Sequence, residues 1–210
     1  MSARPNMQPS SAPRVGVLAL QGGFEPHLRM LASLGVEARE VRRPAQLADL
    51  THLVLPGGES TTLHHLLALF DMWDVLRARA LAGELALFGT CAGAILLGKS
   101  DGTRPPRLAL LDAVCVRNAY GTQLDSSRET LAVAGQPMDC TFIRAPKFTR
   151  LGPDVSVLAR RGDDAVLVQA PGVLAATFHP ELGDDPRVHR LFLEGCAPFA
   201  RAAHERLGVV

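Results

Sequence analysis

The sequence predicts an α/β fold: a single-domain, three-layer sandwich with a mostly parallel central sheet between helical layers and β-hairpins added to that sheet. Three observations predict it. From Arg14 to Leu97, short apolar runs of strand character alternate with stretches whose apolar residues recur at helical spacing. Three glycine-rich breaks, Gln21-Gly22-Gly23, Pro56-Gly57-Gly58 and Gly89-Thr90-Cys91, each follow one of those apolar runs. After Gly98 the texture changes to short β-like runs separated by turns. Strand, helix, strand, helix at the first rhythm is the pattern of a parallel sheet covered on both faces.

Taken in order, Arg14 to Leu20 (RVGVLAL) reads as a buried strand that stops at Gln21. Phe24 to Leu34 carries Leu28, Leu31 and Leu34 at helical spacing, and Gly35 is its C-terminal stop. Val36 to Val41 predicts a second strand, Pro44 to Leu50 a short helical connection, and His52 to Leu55 a third strand halted by Pro56. Ser60 or Thr61 can cap the helix that continues through Leu63, Leu66, Leu67 and Phe70. Trp73 to Leu81 predicts a further helix before the apolar strand that begins at Leu85. Beyond the polar, proline-bearing Lys99 to Pro106, strands are expected at Ala113 to Val116, Glu129 to Ala134, Thr141 to Ile143, Val155 to Ala159, Ala165 to Gln169 and Val173 to Thr177. A last helix is expected from about Pro186 to Leu207, kinked or split at Pro198.

Composition narrows the classes of function. With 210 residues, 47% of them hydrophobic and 20% charged, the chain can bury the core of one domain. A formal net charge of +1, without a long block of one sign, argues against nucleic acid or an anionic membrane as partner. The seven histidines are scattered and show no metal-ligand spacing, so neither a metal nor another cofactor is expected. Cys91, Cys115, Cys140 and Cys196 lie far apart with no CxxC, the usage of reduced thiols in the cytoplasm. Residues 1–13 have no apolar signal core and hold Pro5, Pro9 and Pro13, which predicts a disordered tail ahead of a domain at 14–210. No apolar run approaches the roughly 20 residues of a membrane helix.

The chemistry centres on Leu85 to Leu97, LALFGTCAGAILL. A strand that turns at once into a helix, with small residues on both sides of a cysteine, describes a nucleophile elbow. Far downstream, Thr177-Phe178-His179-Pro180-Glu181 follows another strand-like run and supplies a base with a carboxylate two residues on. A thiol, an imidazole and an orienting acid are the parts of a catalytic triad. In an open parallel sheet ligands sit beyond the carboxyl ends of the strands, so the three glycine-rich breaks should share one rim. His64 and His65 are expected in solvent or against a partner. His27, His52, His189 and His204 receive no role, and Cys115, Cys140 and Cys196 are read as packing.

Gly89-Thr90-Cys91-Ala92-Gly93 together with His179-Pro180-Glu181 resembles the class I, triad glutamine amidotransferases. Leu55 to Thr62 (LPGGESTT), Ala19-Leu20-Gln21-Gly22, Arg117-Asn118 and Phe142 to Pro146 (FIRAP) make it similar to the family of glutaminase subunits of pyridoxal 5'-phosphate synthase. The likeness runs from about Val15 to Leu193. Two departures stand out: Thr122, where the family commonly has arginine, and the tail before Pro13.

The resemblance implies a flavodoxin-like amidotransferase domain that hydrolyses L-glutamine to glutamate and ammonia through a cysteine thioester. In that reading Cys91 is the nucleophile, His179 the acid–base and Glu181 its orienter. The backbone N–H groups of Gly58 and Ala92 form the oxyanion hole, while Gly58, Glu59, Ser60, Arg117, Ile143 and Arg144 bind glutamine. The implied partner is a (β/α)8-barrel synthase subunit in a hetero-oligomer, which uses the ammonia to build pyridoxal 5'-phosphate from ribose 5-phosphate and glyceraldehyde 3-phosphate. Gln21 and Gly22 would lie near that interface or the ammonia passage. Two rivals stay open: a glutaminase serving a different acceptor synthase, and a non-catalytic thiol sensor or chaperone on a similar sheet.

Overall fold

The computed structural model describes residues 12–100, 108–117, 126–196 and 198. β1 (Val15–Leu18) leads into α1 (Phe24–Ser33), β2 (Ala38–Val41) follows, and a 3-10 turn at Pro44–Leu47 precedes β3 (His52–Leu55). Helices α2 (Ser60–Leu69) and α3 (Met72–Leu81) separate β3 from β4 (Ala86–Thr90), and β4 runs into α4 (Ala92–Leu97) with only Cys91 between them. Strands then dominate: β5 (Gly98–Lys99), β6 (Leu111–Val116), β7 (Ser126–Val133), β8 (Gln136–Ile143), β9 (Lys147–Leu151), β10 (Ser156–Arg161), β11 (Asp164–Ala170) and β12 (Val173–Ala176). A 3-10 turn at Pro180–Leu182 and α5 (Arg187–Gly195) follow.

Nine of these strands form one sheet, ordered β2-β1-β3-β4-β12-β11-β10-β7-β8, and β5-β6-β9 form a smaller one. β2, β1, β3, β4 and β12 run parallel, in the 2-1-3-4-5 order of flavodoxin-like sheets. From β12 outward every pairing is antiparallel. The five parallel strands are the expected central sheet, and the expected hairpins extend it through β11, β10, β7 and β8. The β7–β8 hairpin turns through Ala134 and Gly135, both at positive φ (48° and 81°), the two-residue geometry that matches strand twist. β8 begins at Gln136, well before the expected Thr141, and β9 has no counterpart among the expected strands. In β9 only Phe148 offers a large buried apolar side chain among Lys147, Thr149 and Arg150, too weak an alternation to read.

Side chains alternate faces along the parallel strands and so build two cores. Leu53, Leu55 and Leu87 pack with Leu63 and Leu67 of α2 and Leu76 of α3. Val54, Ala86 and Phe88 pack on the other side with Leu31 of α1 and Val188 and Phe192 of α5. That period of two, with helices on both faces, makes the three layers. Each leucine, valine or phenylalanine among them, taken wholly out of water, contributes about 1.5–3 kcal/mol.

Some boundaries differ from expectation. Glu59, not Ser60 or Thr61, caps α2: its backbone is extended and its carboxylate accepts from the N–H groups of Thr61 and Thr62. α5 ends at Gly195, and the rest of the expected helix, residues 197 and 199–207, lies outside the described residues. So do residues 1–11 of the expected tail and Asn118, Thr122 and Gln123. Among the described residues no helix is long and apolar enough to cross a membrane.

Candidate active site

Strand register sets the site. Leu55 of β3 is level with Gly89 of β4, and Thr90 of β4 is level with Ala176 of β12. Pro56-Gly57-Gly58, Cys91 and Thr177-Phe178-His179 therefore leave the sheet side by side. The Gly57 N–H donates to Thr90 Oγ1 at 3.0 Å, the Cys91 N–H to the Ala176 carbonyl at 2.9 Å, and the Gly23 N–H to the Gly57 carbonyl at 3.1 Å. The antiparallel half joins at the same place, since the His179 N–H donates to the Thr141 carbonyl of β8 at 2.8 Å.

Cys91 sits in the elbow with φ 46° and ψ −101°, a conformation that costs a non-glycine residue on the order of 1–3 kcal/mol. The turn is held because α4 lies directly on the strand ends. A Cβ on Gly93 would stand 1.9 Å from the Leu55 carbonyl oxygen, so only glycine permits that approach. α4 has six residues, which limits the dipole it can contribute beneath the sulfur. The thiol is buried, 8% exposed, and its Sγ lies 3.9 Å from the Ile143 carbonyl oxygen.

His179 and Glu181 are coupled. Nδ1 of the ring is 2.7 Å from Glu181 Oε1, with side-chain exposures of 11% and 1%. Burial works against a charged ring, but hydrogen bonds to Cys91 and Glu181 and their negative charge outweigh it and raise the imidazole from 6.5 to about 10. The carboxyl of Glu181 moves the other way: burial pushes it up, while His27 and His179 bring it down further. For a raised histidine the linked stability is complete below its unfolded value of 6.5 and is lost as pH climbs to about 10. The melting temperature of the wild type is thus expected to fall across that alkaline window more steeply than that of His179→Gln. Parallel curves for the two proteins would contradict the assignment.

Beside the thiol opens a cleft of about 160 Å³ lined by Gly58, Glu59, Ser60, Cys91, Ile95, Arg117, Ile143, Arg144 and His179. All six residues expected around glutamine line it, two of the expected triad lie on its wall, and Glu181 stands behind His179. Ala92, expected in the oxyanion hole, is the first residue of α4. Arg117 Nη2 donates to Glu59 Oε1 at 3.1 Å, and Nη1 to Thr61 Oγ1 at 3.2 Å. Burial would raise the Glu59 carboxyl, but the Thr62 and Thr61 amides, the Thr62 hydroxyl and Arg117 bring it down to about 2. Arg144 turns out of β8 with φ 42°. Gln21 grips the loop after β3: its Oε1 accepts from the Glu59 N–H and its Nε2 donates to the Glu59 carbonyl, both at 3.3 Å. Gly22, next to it, is exposed.

Three residues given no role, or not singled out, adjoin this site. His27 is wholly buried on α1, its Nε2 3.5 Å from Glu181 Oε2 and 3.2 Å from Thr90 Oγ1. Its Nδ1 is 2.8 Å from Nε2 of the equally buried His189 on α5. Thr90 joins His27 to the Gly57 amide. A histidine in the first turn after a glycine-rich break carries no local mark of this role, since its partners come from α5 and the turn after β12. His64 lies against Trp73, ring centroids 4.9 Å apart, and Cys115, Cys140 and Cys196 are buried thiols.

Comparison with known proteins places the chain in a family. A pyridoxal 5'-phosphate synthase subunit PdxT of Thermus thermophilus is 53% identical over 183 residues, 86% of this chain and 96% of that protein. The subunit of the same name from Deinococcus radiodurans is 51% identical over 187 residues, 85% and 95% of the two chains. A crystal structure of a glutamine amidotransferase superposes with a TM-score of 0.82 at 52% identity, covering 86% of this chain and 97% of that one. PurLQS from Thermotoga maritima shares the fold at 17% identity, with a TM-score of 0.67 over 88% of this chain and 99% of that one. The family model described as the SNO glutamine amidotransferase family matches residues 17–198. Spanning the sheet from β1 to beyond α5, that match means that the chain belongs to the SNO glutamine amidotransferase family.

Proposed function

We propose that this chain is the glutaminase subunit of a pyridoxal 5'-phosphate synthase, with Cys91, His179 and Glu181 as its triad. The observation that carries the site reading is the placement of the Cys91 thiol and the His179–Glu181 pair at one cleft with Glu59, Arg117 and Arg144. Cys91 passes its thiol proton to His179 as its sulfur attacks the carboxamide carbon of glutamine, forming the S–C bond; the proton that the ring later takes from water returns to the sulfur when the thioester is cleaved. Negative charge gathers on the amide oxygen and is met by the N–H groups of Gly58 and Ala92. The C–N bond then breaks as charged His179 gives its proton to the departing nitrogen, which leaves as ammonia. Water activated by the now neutral ring hydrolyses the thioester, releasing glutamate and restoring the thiol. Glu181 holds the ring and balances its charge throughout.

Arg117 and Arg144 suit the substrate's α-carboxylate, and the Glu59 carboxylate its α-ammonium, with Gly58, Ser60 and the Ile143 backbone completing the pocket. A glutamine analogue carrying an electrophile at the side-chain carbonyl is expected to add to Cys91 alone, seen by mass spectrometry, with glutamine protecting. Labelling at another cysteine, or none, would reject the nucleophile.

Ammonia freed into water would be protonated and lost as a nucleophile, so it passes directly to the (β/α)8-barrel synthase subunit, with Gln21 and Gly22 toward that interface. Because Gln21 grips Glu59, docking there bears on the oxyanion loop. Glutamate release is expected to be slow for the chain alone and faster with the synthase; equal rates would reject activation by docking. Four buried cysteines with no CxxC spacing support a reducing, cytoplasmic setting.

A further inference from the structure

The second oxygen of Glu181 is the unexplained atom of the site. Oε1 is held by His179, whereas Oε2 is buried with no hydrogen bond of ordinary length. A buried carboxylate oxygen left to itself is costly. The polar group facing it is His27 Nε2 at 3.5 Å, from a side chain with no exposure on α1. Every element packed on that ring presents a group to it: β4 the Thr90 hydroxyl, α5 the His189 ring, and the turn after β12 both Glu181 and His179.

We propose that His27 is a positioning residue of the glutaminase, a neutral imidazole whose Nε2–H steadies Glu181 Oε2 and the Thr90 hydroxyl that holds the Gly57 amide. The proposal rests on the glutaminase reading above. Proton bookkeeping fixes the tautomer. With Nε2–H on His27, its Nδ1 lone pair accepts from His189 Nε2–H, and the buried His189 Nδ1, which has no partner, is a bare lone pair. In the reverse arrangement His189 Nδ1 would be a buried N–H without an acceptor, and His27 would aim a lone pair at a carboxylate. Burial holds His27 down at about 4, with Glu181 pulling it up and His179 pushing it down, so the ring stays neutral where the enzyme works. His189 is likewise held well below 6.5 by burial and then by His27. The cluster carries one negative charge, on Glu181, aimed at His179. Through Thr90 the same ring braces Gly57, which precedes the expected oxyanion donor Gly58.

The test exploits geometry. A glutamine amide nitrogen reaches where imidazole Nε2 sits, and an asparagine amide nitrogen where Nδ1 sits. With the full chain and its synthase present, His27→Asn is expected to lower kcat about tenfold or more, the scale of a lost hydrogen bond to a charged group. KM for glutamine should hold, since His27 does not line the cleft. The acid limb of the pH profile should move to higher pH, because Glu181 protonates sooner without its donor. His27→Gln should recover most of kcat and the profile. Equal losses in the two variants, or a loss confined to KM, would overturn the proposal. Should neither variant fold, ¹⁵N-histidine spectra of the wild type decide: a proton on His27 Nε2 through the neutral range supports it, and one on Nδ1 or a charged ring overturns it. Those spectra do not depend on turnover, whereas failure of the glutaminase reading would show as no analogue adduct on wild-type Cys91.

Discussion

Cys91→Ala is expected to cut glutamate release by at least about a thousandfold, because the proposed triad nucleophile cannot be substituted by its neighbours. The cleft holds no second thiol: Cys115, Cys140 and Cys196 lie in the core, away from its lining. Alanine keeps the Cβ and the small volume of the elbow, so folding should persist. The same variant, supplied with an ammonium salt and the synthase, should still support pyridoxal 5'-phosphate formation, since only the nitrogen source has been removed. Glutamate release that survives the substitution would end the thioester mechanism. Loss of the ammonium-dependent reaction as well would instead point to damaged docking.

Gly57→Ala should be nearly as damaging by a different route. A Cβ there would stand 2.4 Å from His179 Cε1 and 3.4 Å from Cys91 Cβ. The ring must move, and a displacement of about 1 Å at reacting groups costs on the order of a hundredfold in rate. The strain falls on a side chain, so thermal stability should change little. Circular dichroism melts set beside kcat will separate the two effects: a large fall in melting temperature, or an unchanged kcat, would contradict this account. Gly93 differs, since its added Cβ would meet backbone at Leu55.

The parallel half of the fold was legible because each of its elements carries its own local signal. Apolar runs, glycine stops and the Gly89-Thr90-Cys91 elbow fall where β4 and α4 meet. The antiparallel half was less so: Gln136-Pro137 hides the start of β8, and Lys147–Leu151 looks like surface. Glu59 displaced Ser60 and Thr61 as cap because Arg117, far along the chain, fixes its carboxylate beside the helix start. Cys91 and His179 could be named from motifs. Arg117, Ile143 and Arg144 came through likeness to a family, and the cleft gives them a physical reason to be there. His27 could not be read, since a buried histidine facing a carboxylate and one facing leucines look alike in periodicity. Only the packing of α1 and α5 distinguishes them.

No more than three residues separate a strand end from the group it delivers: Cys91 follows Thr90 directly, Gly58 follows Leu55 by three, and His179 follows Ala176 by three. Spans so short have no slack, so the rim inherits the stiffness of the ladder beneath it. One residue inserted in any of them would swing its cargo off the mouth of the sheet. The Ala134-Gly135 tip, where a Cβ on the glycine would meet nothing within 4 Å, has room to lengthen. Freedom to vary in length and the duty to aim therefore occupy opposite ends of the same molecule's connections.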